Sequence, residues 1–510
     1  MTSRILGLVR DQVLASLFGA GNAMDAFNVA FRVPNLVRDL FAEGAMSAAF
    51  VPVFMRQLAT GDRTSAWRLG NNVLNALLVV TGLLVVAGIV FARPLVGAFA
   101  ADYAAVPGKL ELTVMLTRIM LPFLTLVAIA AAMMGMLNAL HLFFIPALAP
   151  AMFNIATIAC ALLLVPAMPR FGWAPITAIA IGALLGGIAQ VVLQWPLLRR
   201  EGFSYTPLLD WKQEGLQRVL MLMGPGTIGL AATQVNVFVN TVLATGEGTG
   251  AVSWLNYAFR LMYLPTGLFG VSIATATVPA VSRHAAHDDE PAVRETVGEG
   301  LSLMFMLNVP ATIGLIVLAH PIVRLLFERR AFLPSDTAAT AAALQFYAIG
   351  LLGYSIVRIA SPTFYALGDS RTPVLISVAT VVANAVLNVL LARVLGYRGL
   401  ALGTSIAALL NAVCLLWLLR ARLGGLDDRR VLSSLSRICG ASLVMGAAAF
   451  GANEALSIWV AGDTLIRQAA RLAVTIVSAL FVLAASAHAL RIREFREAFA
   501  ITWKRGGSEA

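Results

Sequence analysis

The chain has 510 residues, of which 59% are hydrophobic and only 12% charged, and its formal net charge is +11. A water-soluble chain carries about twice that charged fraction. Apolar runs long enough to span a bilayer (about 18 residues or more) recur along the whole length, which excludes a soluble domain and predicts an all-α polytopic membrane protein. No long basic tract with interleaved aromatics is present, so nucleic acid is not an expected partner; the excess positive charge points to anionic membrane lipids instead. Cys160, Cys414 and Cys439 are scattered through apolar segments and read as small buried hydrophobes.

In chain order, the hydropathy pattern predicts about fourteen transmembrane helices: 1–19, 25–55, 70–101, 110–139, 145–166, 174–198, 215–244, 250–281, 296–320, 337–367, 373–395, 399–420, 432–455 and 465–488. Connections are short, the longest polar ones being 199–214, 282–295 and 421–431. With the N-terminus cytoplasmic, Lys and Arg concentrate in the cytoplasmic connections, which predicts both termini inside. Gly224-Pro225-Gly226 predicts a break within the seventh span, and Gly182 and Gly186 a helix-packing contact. "SRHAAHDDE" (282–290) holds an H-x-x-H and reads as a solvated connection rather than a metal site.

The chain repeats itself. Ala30-Phe31-Arg32 recurs as Ala258-Phe259-Arg260, Leu40-Phe41 as Leu268-Phe269, and Val51-Pro52 as Val278-Pro279; Ala139-Leu140 and Pro146 recur as Ala366-Leu367 and Pro373. Every offset is 227 or 228. A constant offset with six spans per repeat predicts two six-helix lobes related by a parallel repeat, as in transporters that rock about a central site. The expected organisation is an N-lobe at 1–200, a cytoplasmic linker at 201–214, a C-lobe at 215–421, two extra helices within 422–488 and a basic cytoplasmic tail at 489–510.

Seven arginines fall inside these spans: Arg4, Arg10, Arg32, Arg38, Arg118, Arg260 and Arg358. Four acids join them: Asp11, Asp25, Asp39 and Glu43. A charge at the bilayer centre costs about 2.5–3.5 kcal/mol on insertion scales, so these groups should face the lobe interface or a wet cavity. Arg32, Asn35, Asp39 and Glu43 share one helical face, and Arg4 shares one with Asp11. Ion pairs that lock packing would explain part of the set. The excess of cations over anions, and the choice of arginine, whose planar fork matches phosphate oxygens, point to a phosphate-bearing ligand.

"SRILGLVRDQVLASLFGAGNAMDAFNVAFRVPNLVRDLFAEGAMSAAFVPVF" resembles the N-terminal signature of the MurJ (MviN) lipid II flippases, and "LNYAFRLMYLPTGLFGVSIATATVPAVS" resembles that family's eighth span. The resemblance covers essentially the whole chain. It implies membership of the multidrug/oligosaccharidyl-lipid/polysaccharide exporter superfamily, with fourteen helices in two lobes and a groove for a polyprenyl tail at the last two. It also implies transport of the lipid-linked peptidoglycan precursor, lipid II, from the inner to the outer leaflet of the bacterial cytoplasmic membrane, by alternating access and without enzymatic chemistry. Its essential cavity arginines fall on Arg4, Arg10, Arg38 and Arg260, and its polar cavity residues on Asp11, Asp25, Asn35 and Glu43. The acid that some members carry before the eighth-span arginine is Phe259 here. A sodium site known in the family falls on Asn240, Asn384, Asn388 and Thr404, with amides at two carboxylate positions. No cofactor is therefore expected, and coupling to a monovalent cation or to the membrane potential stays open. Cell-wall synthesis machinery is an implied partner. The competing readings are a drug or cation exporter, which calls for an acidic cavity; an exporter of another polyprenyl-phosphate-linked saccharide of the same superfamily; an enzyme of polyprenyl phosphates, which calls for a nucleophile or metal cluster not found here; and a scaffold without transport.

Overall fold

Every backbone N–H and C=O inside a bilayer has to be satisfied within its own segment, which leaves the helix as the economical solution for such a chain. The computed structural model describes residues 2–39, 46–60, 63–459, 462 and 464–495, and among these it contains helices and no strand. Glu43 and residues 496–510 of the expected tail lie outside the described residues.

The first half runs through α1 (Thr2–Phe18), α2 (Asn22–Arg38), α3 (Met46–Ala59), α4 (Arg63–Val90), α5 (Ala92–Phe99), α6 (Lys109–Met120), α7 (Phe123–Ala139), α8 (Phe144–Leu163), α9 (Thr177–Arg200) and α10 (Glu214–Thr245). The second half runs through α11 (Ala251–Pro265), a π-helical turn (Thr266–Gly270), α12 (Val271–Ala285), α13 (Glu290–Val317), α14 (Ala319–Phe327), α15 (Pro334–Ala366), α16 (Arg371–Leu395), α17 (Tyr397–Arg422), α18 (Asp428–Trp459) and α19 (Leu465–Ala489). Among the described residues, eleven spans are long and apolar enough to cross a membrane, with α6–α7 and α11–α12 each counting as one. The other three expected positions hold α1, the pair α2 and α3, and α10.

The chain divides into two units. Unit 1 comprises Met1–Ser253 with Arg329–Phe332, and unit 2 comprises Trp254–Glu328 with Leu333–Ala510. The boundary falls later than the linker expected at 201–214. The reason is local: α10 packs on α3, α4 and α5 of unit 1. The preceding extended segment is also held to α4 by side-chain amides. Asn71 bonds Ser204 O and Thr206 N, Asn72 bonds Asp210 O and N, and Asn75 bonds Thr206 O and Leu208 O. Three asparagines on one helix face therefore read an extended backbone as a neighbouring strand would.

Helix packing in lipid gains little from apolar burial, because the alternative surroundings are also apolar; small residues that admit close approach do more. At α8–α9, a Cβ added to Gly186 would sit 2.8 Å from Phe153 Cα, and one on Gly182 would sit 3.0 Å from Thr157 Cα. The expected packing role of this pair is what the structure shows. The break expected at 224–226 is absent: α10 is helical across it. The irregular backbone lies instead at Thr266–Gly270, after Pro265, and Asp39, which is 227 residues earlier than Thr266, is also π-helical. π-Helical backbone therefore occurs at both of these repeat-related positions.

In unit 2, α13 packs against α15 and α18, and α18 against α19. Their shared core contains Leu301, Phe305, Ile359, Phe364, Leu415, Ile438 and Met445.

Candidate functional site

Among the described residues of unit 1, ionisable groups of α1 and α2 form ion pairs of different exposure. Arg10 points both Nε (3.2 Å) and Nη2 (2.9 Å) at Asp11 Oδ1, and its guanidinium carbon lies 5.3 Å from the centre of the Phe153 ring. Asp11 thus pairs with its neighbour, although helical spacing put it on the face of Arg4; Arg4 itself is exposed. Arg38 makes the same kind of pair with Asp39 Oδ1, at 3.0 Å from Nε and 2.7 Å from Nη2, and Gln234 Nε2 lies 3.4 Å from Asp39 Oδ2. Asn35, one turn before Arg38, is half-buried with an Oδ1 that accepts no hydrogen bond among the described residues.

Arg38 lines a pocket of about 130 Å³ whose other walls include Phe123, Phe153, Ala130, Ala131, Gln190 and Gln194. Phe31, Phe123 and Phe153 form an aromatic cluster at this pocket, with centroids 5.3–5.6 Å apart; Phe31 stacks on Phe153, and Phe123 is tilted to both. Arg10 and Arg38 therefore flank one aromatic cluster, Arg10 against the face of Phe153 and Arg38 at the pocket that Phe153 lines.

Asp25 is placed differently from the expectation of an open cavity residue. Its carboxylate is wholly enclosed. Oδ2 accepts from Lys109 Nζ (2.9 Å) and Gly250 N (2.7 Å), and Oδ1 accepts from Ser253 Oγ (2.7 Å) and Ser253 N (3.1 Å). Lys109 Nζ also lies 4.0 Å from the centre of the Tyr103 ring. Four donors occupy the carboxylate, so in this conformation Asp25 holds residues 250–253 and α6 to α2 and faces no open space. Its position at the first turn of α11 adds the attraction of a helix N-terminus for a negative charge. Lys109 and Ser253 are the partners that sequence reasoning missed; the only signal for the first is a lysine at the mouth of an apolar span. Nearby, Gly19 of the "FGAG" string has φ +61°, and a Cβ there would lie 2.2 Å from Ala331 O. Ala331 N in turn donates to Ser16 O.

In unit 2, Arg260 is exposed on α11. Arg358 donates to the hydroxyl of Tyr263 and lies over that ring, and Tyr263 stacks on Phe259 at 5.8 Å. Of the remaining arginines in the expected spans, Arg118 donates to Ile89 O beside the α4–α5 turn, and Arg32 is half-buried. An apolar groove of about 430 Å³ runs between α13, α18 and α19, lined by Met306, Pro310, Met445, Ala449, Ala479 and Leu483 and reached by Phe269 of the π-helical turn.

The residues matched to a sodium site are amide-rich. Asn388 Nδ2 donates to Asn384 Oδ1 at 3.0 Å, both residues are buried, and the Thr404 hydroxyl donates to Leu400 O of its own helix. Asn240 is half-buried on α10 of unit 1. With one amide oxygen already accepting and no carboxylate in the set, these residues do not fit a cation as a carboxylate site would.

The sequence profile of the family described as lipid II flippase MurJ matches residues 14–470. The chain belongs to the MurJ family. It is 34% identical over 467 residues to the probable lipid II flippase MurJ of Vibrio cholerae serotype O1, covering 90% of this chain and 88% of that one. It is 35% identical over 484 residues to the probable lipid II flippase MurJ of Haemophilus influenzae, covering 92% and 93%. A solved structure, a lipid II flippase MurJ in an inward closed conformation, superposes with a TM-score of 0.77 at 26% identity, covering 96% of this chain and 97% of that one. Membership of the MurJ family makes the chain a multi-pass membrane transporter rather than an enzyme.

Proposed function

We propose that this protein flips lipid II from the inner to the outer leaflet of the bacterial cytoplasmic membrane by alternating access, with both termini in the cytoplasm. The observation that carries the reading is the placement of Arg10 and Arg38 around one aromatic pocket in unit 1. A guanidinium there offers a planar pair of donors to pyrophosphate oxygens. Arg4 in unit 1 and Arg260 in unit 2, both exposed, supply further positive charge. The apolar groove between α13, α18 and α19 suits a polyprenyl chain, which would be held there by shape and packing, since lipid and groove are equally apolar. Anionic lipids are the natural partners of the basic surface, and cell-wall synthases those that consume the product. Coupling is assigned to the membrane potential rather than to sodium, because amides stand at positions 240 and 388. One charge moved through 100 mV is worth about 2.3 kcal/mol.

The test is transport by the purified full-length protein in liposomes containing fluorescent lipid II. Addition of an impermeant quencher should bleach more than the outer-leaflet fraction, and faster when an inside-negative potential is imposed. Bleaching that stops at the outer-leaflet fraction in protein-containing liposomes would overturn the reading.

A further inference from the structure

We propose that Phe269 is a positioning residue for the head group: it touches the lipid chain in the groove of unit 2 and, through the π-helical turn that carries it, sets the direction of Arg260. The inference rests on the transport reading above and concerns how the two parts of one substrate are recognised together.

The first observation is the make-up of the groove. Its lining comes from α13, α18 and α19 and from Leu318 and Phe495 beyond their ends, with one exception. Phe269, half-buried, belongs to the turn between α11 and α12. A chain lying in the groove therefore meets the segment that carries Arg260 at this ring.

The second is the backbone. Pro265 has no N–H to give to the carbonyl four residues earlier, and its ring crowds that carbonyl. The helix takes up an extra residue just beyond it: Val271 N donates to Thr266 O, five residues back. One extra residue rotates the helix after it by about 100° relative to the helix before it. Arg260 lies before the turn and Phe269 within it. If the extra residue is lost, the two side chains no longer both keep their present directions.

The third is the packing. The turn lies against α13, a wall of the groove, and against α15. On the α15 side, a Cβ added to Gly270 would sit 3.4 Å from Arg358 Cδ. Arg358 donates to the hydroxyl of Tyr263 and lies over its ring, and Tyr263 is three residues after Arg260, on the same side of α11. Contact thus runs from the groove through the turn to the arginine-bearing parts of α11 and α15, all within unit 2. A ligand shifts a two-state element only by as much as it prefers one state. An isoprenoid chain meets that condition, because its methyl branches pack on the Phe269 ring only while the turn presents it. Such coupling is reciprocal, so the head group tightens the chain by the same factor.

The test measures that factor on the full-length protein in lipid nanodiscs, which leave both faces open. The head-group probe is a lipid II analogue whose isoprenoid chain is cut to methyl, and the chain probe is undecaprenol. Phospholipid acyl chains are present throughout and set the baseline. In wild type, saturating undecaprenol should tighten the analogue about tenfold, within the usual range of coupling between sites. Phe269→Ala should bring the factor close to one. Phe269→Leu keeps an apolar contact with the chain and should give an intermediate factor; it stands in, by the same criterion, if the alanine variant does not fold. Leu480→Ala, at the groove wall on α19, should weaken undecaprenol and keep the tenfold factor at saturation. A wild-type factor of one, an unchanged factor in Phe269→Ala, or an equal loss in Leu480→Ala would overturn the proposal. A wild-type protein that binds neither the analogue nor lipid II itself would overturn the transport reading. One that binds lipid II, with no effect of undecaprenol on the analogue, overturns this inference alone.

Discussion

The two ends of α2 carry the same chemistry in opposite settings. At one end Asp25 and Lys109 form a pair whose side chains are 0% and 1% exposed, with every carboxylate oxygen engaged. At the other, Arg38 and Asp39 form a pair that is 26% and 33% exposed and borders a pocket. An enclosed pair has given up its water and is held by neighbours that cannot be replaced, so it fixes structure. A pair at a pocket wall keeps contact with that open space, which is why a ligand-binding role is proposed for it. Residue type alone does not separate the two roles; enclosure does.

The largest effect should come from opening the enclosed end. Lys109→Met leaves a buried carboxylate facing only neutral donors, a loss of about 3–5 kcal/mol, large beside a stability of about 5–15 kcal/mol. Membrane abundance and melting temperature should both drop. The double change Asp25→Asn with Lys109→Met should recover most of the loss, because no unpaired charge is left. A Lys109→Met protein as stable as wild type would break the contrast at its firmer end.

An intermediate case sharpens it. Arg10 and Asp11 are 10% and 7% exposed, yet Arg10 also lies over Phe153 at the pocket. Arg10→Ala should therefore lower both stability, by about 1–3 kcal/mol, and transport. Asp11→Asn should lower stability with a smaller effect on transport. Thermal melting and flipping measured on the same samples check this. Equal losses of transport in the two variants would remove the distinction between the members of the pair.

The reading of α2 from sequence explains where inference stopped. The spans, their order and the repeat follow from apolar run lengths and a constant offset, and the helices stand where those signals put them. Arg38 stands out in the sequence because a planar cation in a span needs either a partner or a ligand. Asp25 was placed in the open cavity because its partners are remote in sequence, Lys109 by 84 residues and Ser253 by 228. No periodicity carries that information. The Asn71, Asn72 and Asn75 clamp had a visible signal, "NNVLN" at the start of an apolar helix, but its target is backbone and leaves no trace in side-chain pattern.

The smallest effect lies outside the spans, at the turn between α15 and α16, where Asp369 is half-buried. Asp369 accepts from the Thr372 hydroxyl at 2.6 Å, from Thr372 N and Arg371 N at 3.0 Å, and from Arg422 Nη1 at 3.4 Å. The hydrogen bonds from Thr372 hold its carboxyl below the ordinary value of 3.8. A lowered native pKa stabilises above the ordinary value and is lost as pH falls through the lowered one. The melting-temperature difference between wild type and Asp369→Asn should therefore be small at neutral pH and vanish in acid below the carboxylate range. A difference that grows on acidification would contradict this sign.

The most direct test of the central claim is made at Arg38, together with Arg260, which is exposed in unit 2. Each is changed to Ala and to Lys, and membrane abundance, melting temperature and lipid II flipping are measured on the same preparations. A half-exposed pair contributes only about 0–1 kcal/mol to stability, so the Ala variants should fold with near-wild-type melting temperatures and fail to flip. The Lys variants should flip in part, because the charge remains and the fork is lost. Normal flipping by Arg38→Ala, or its loss accompanied by loss of folded protein that Lys restores, would contradict the assignment of this end of α2 to substrate.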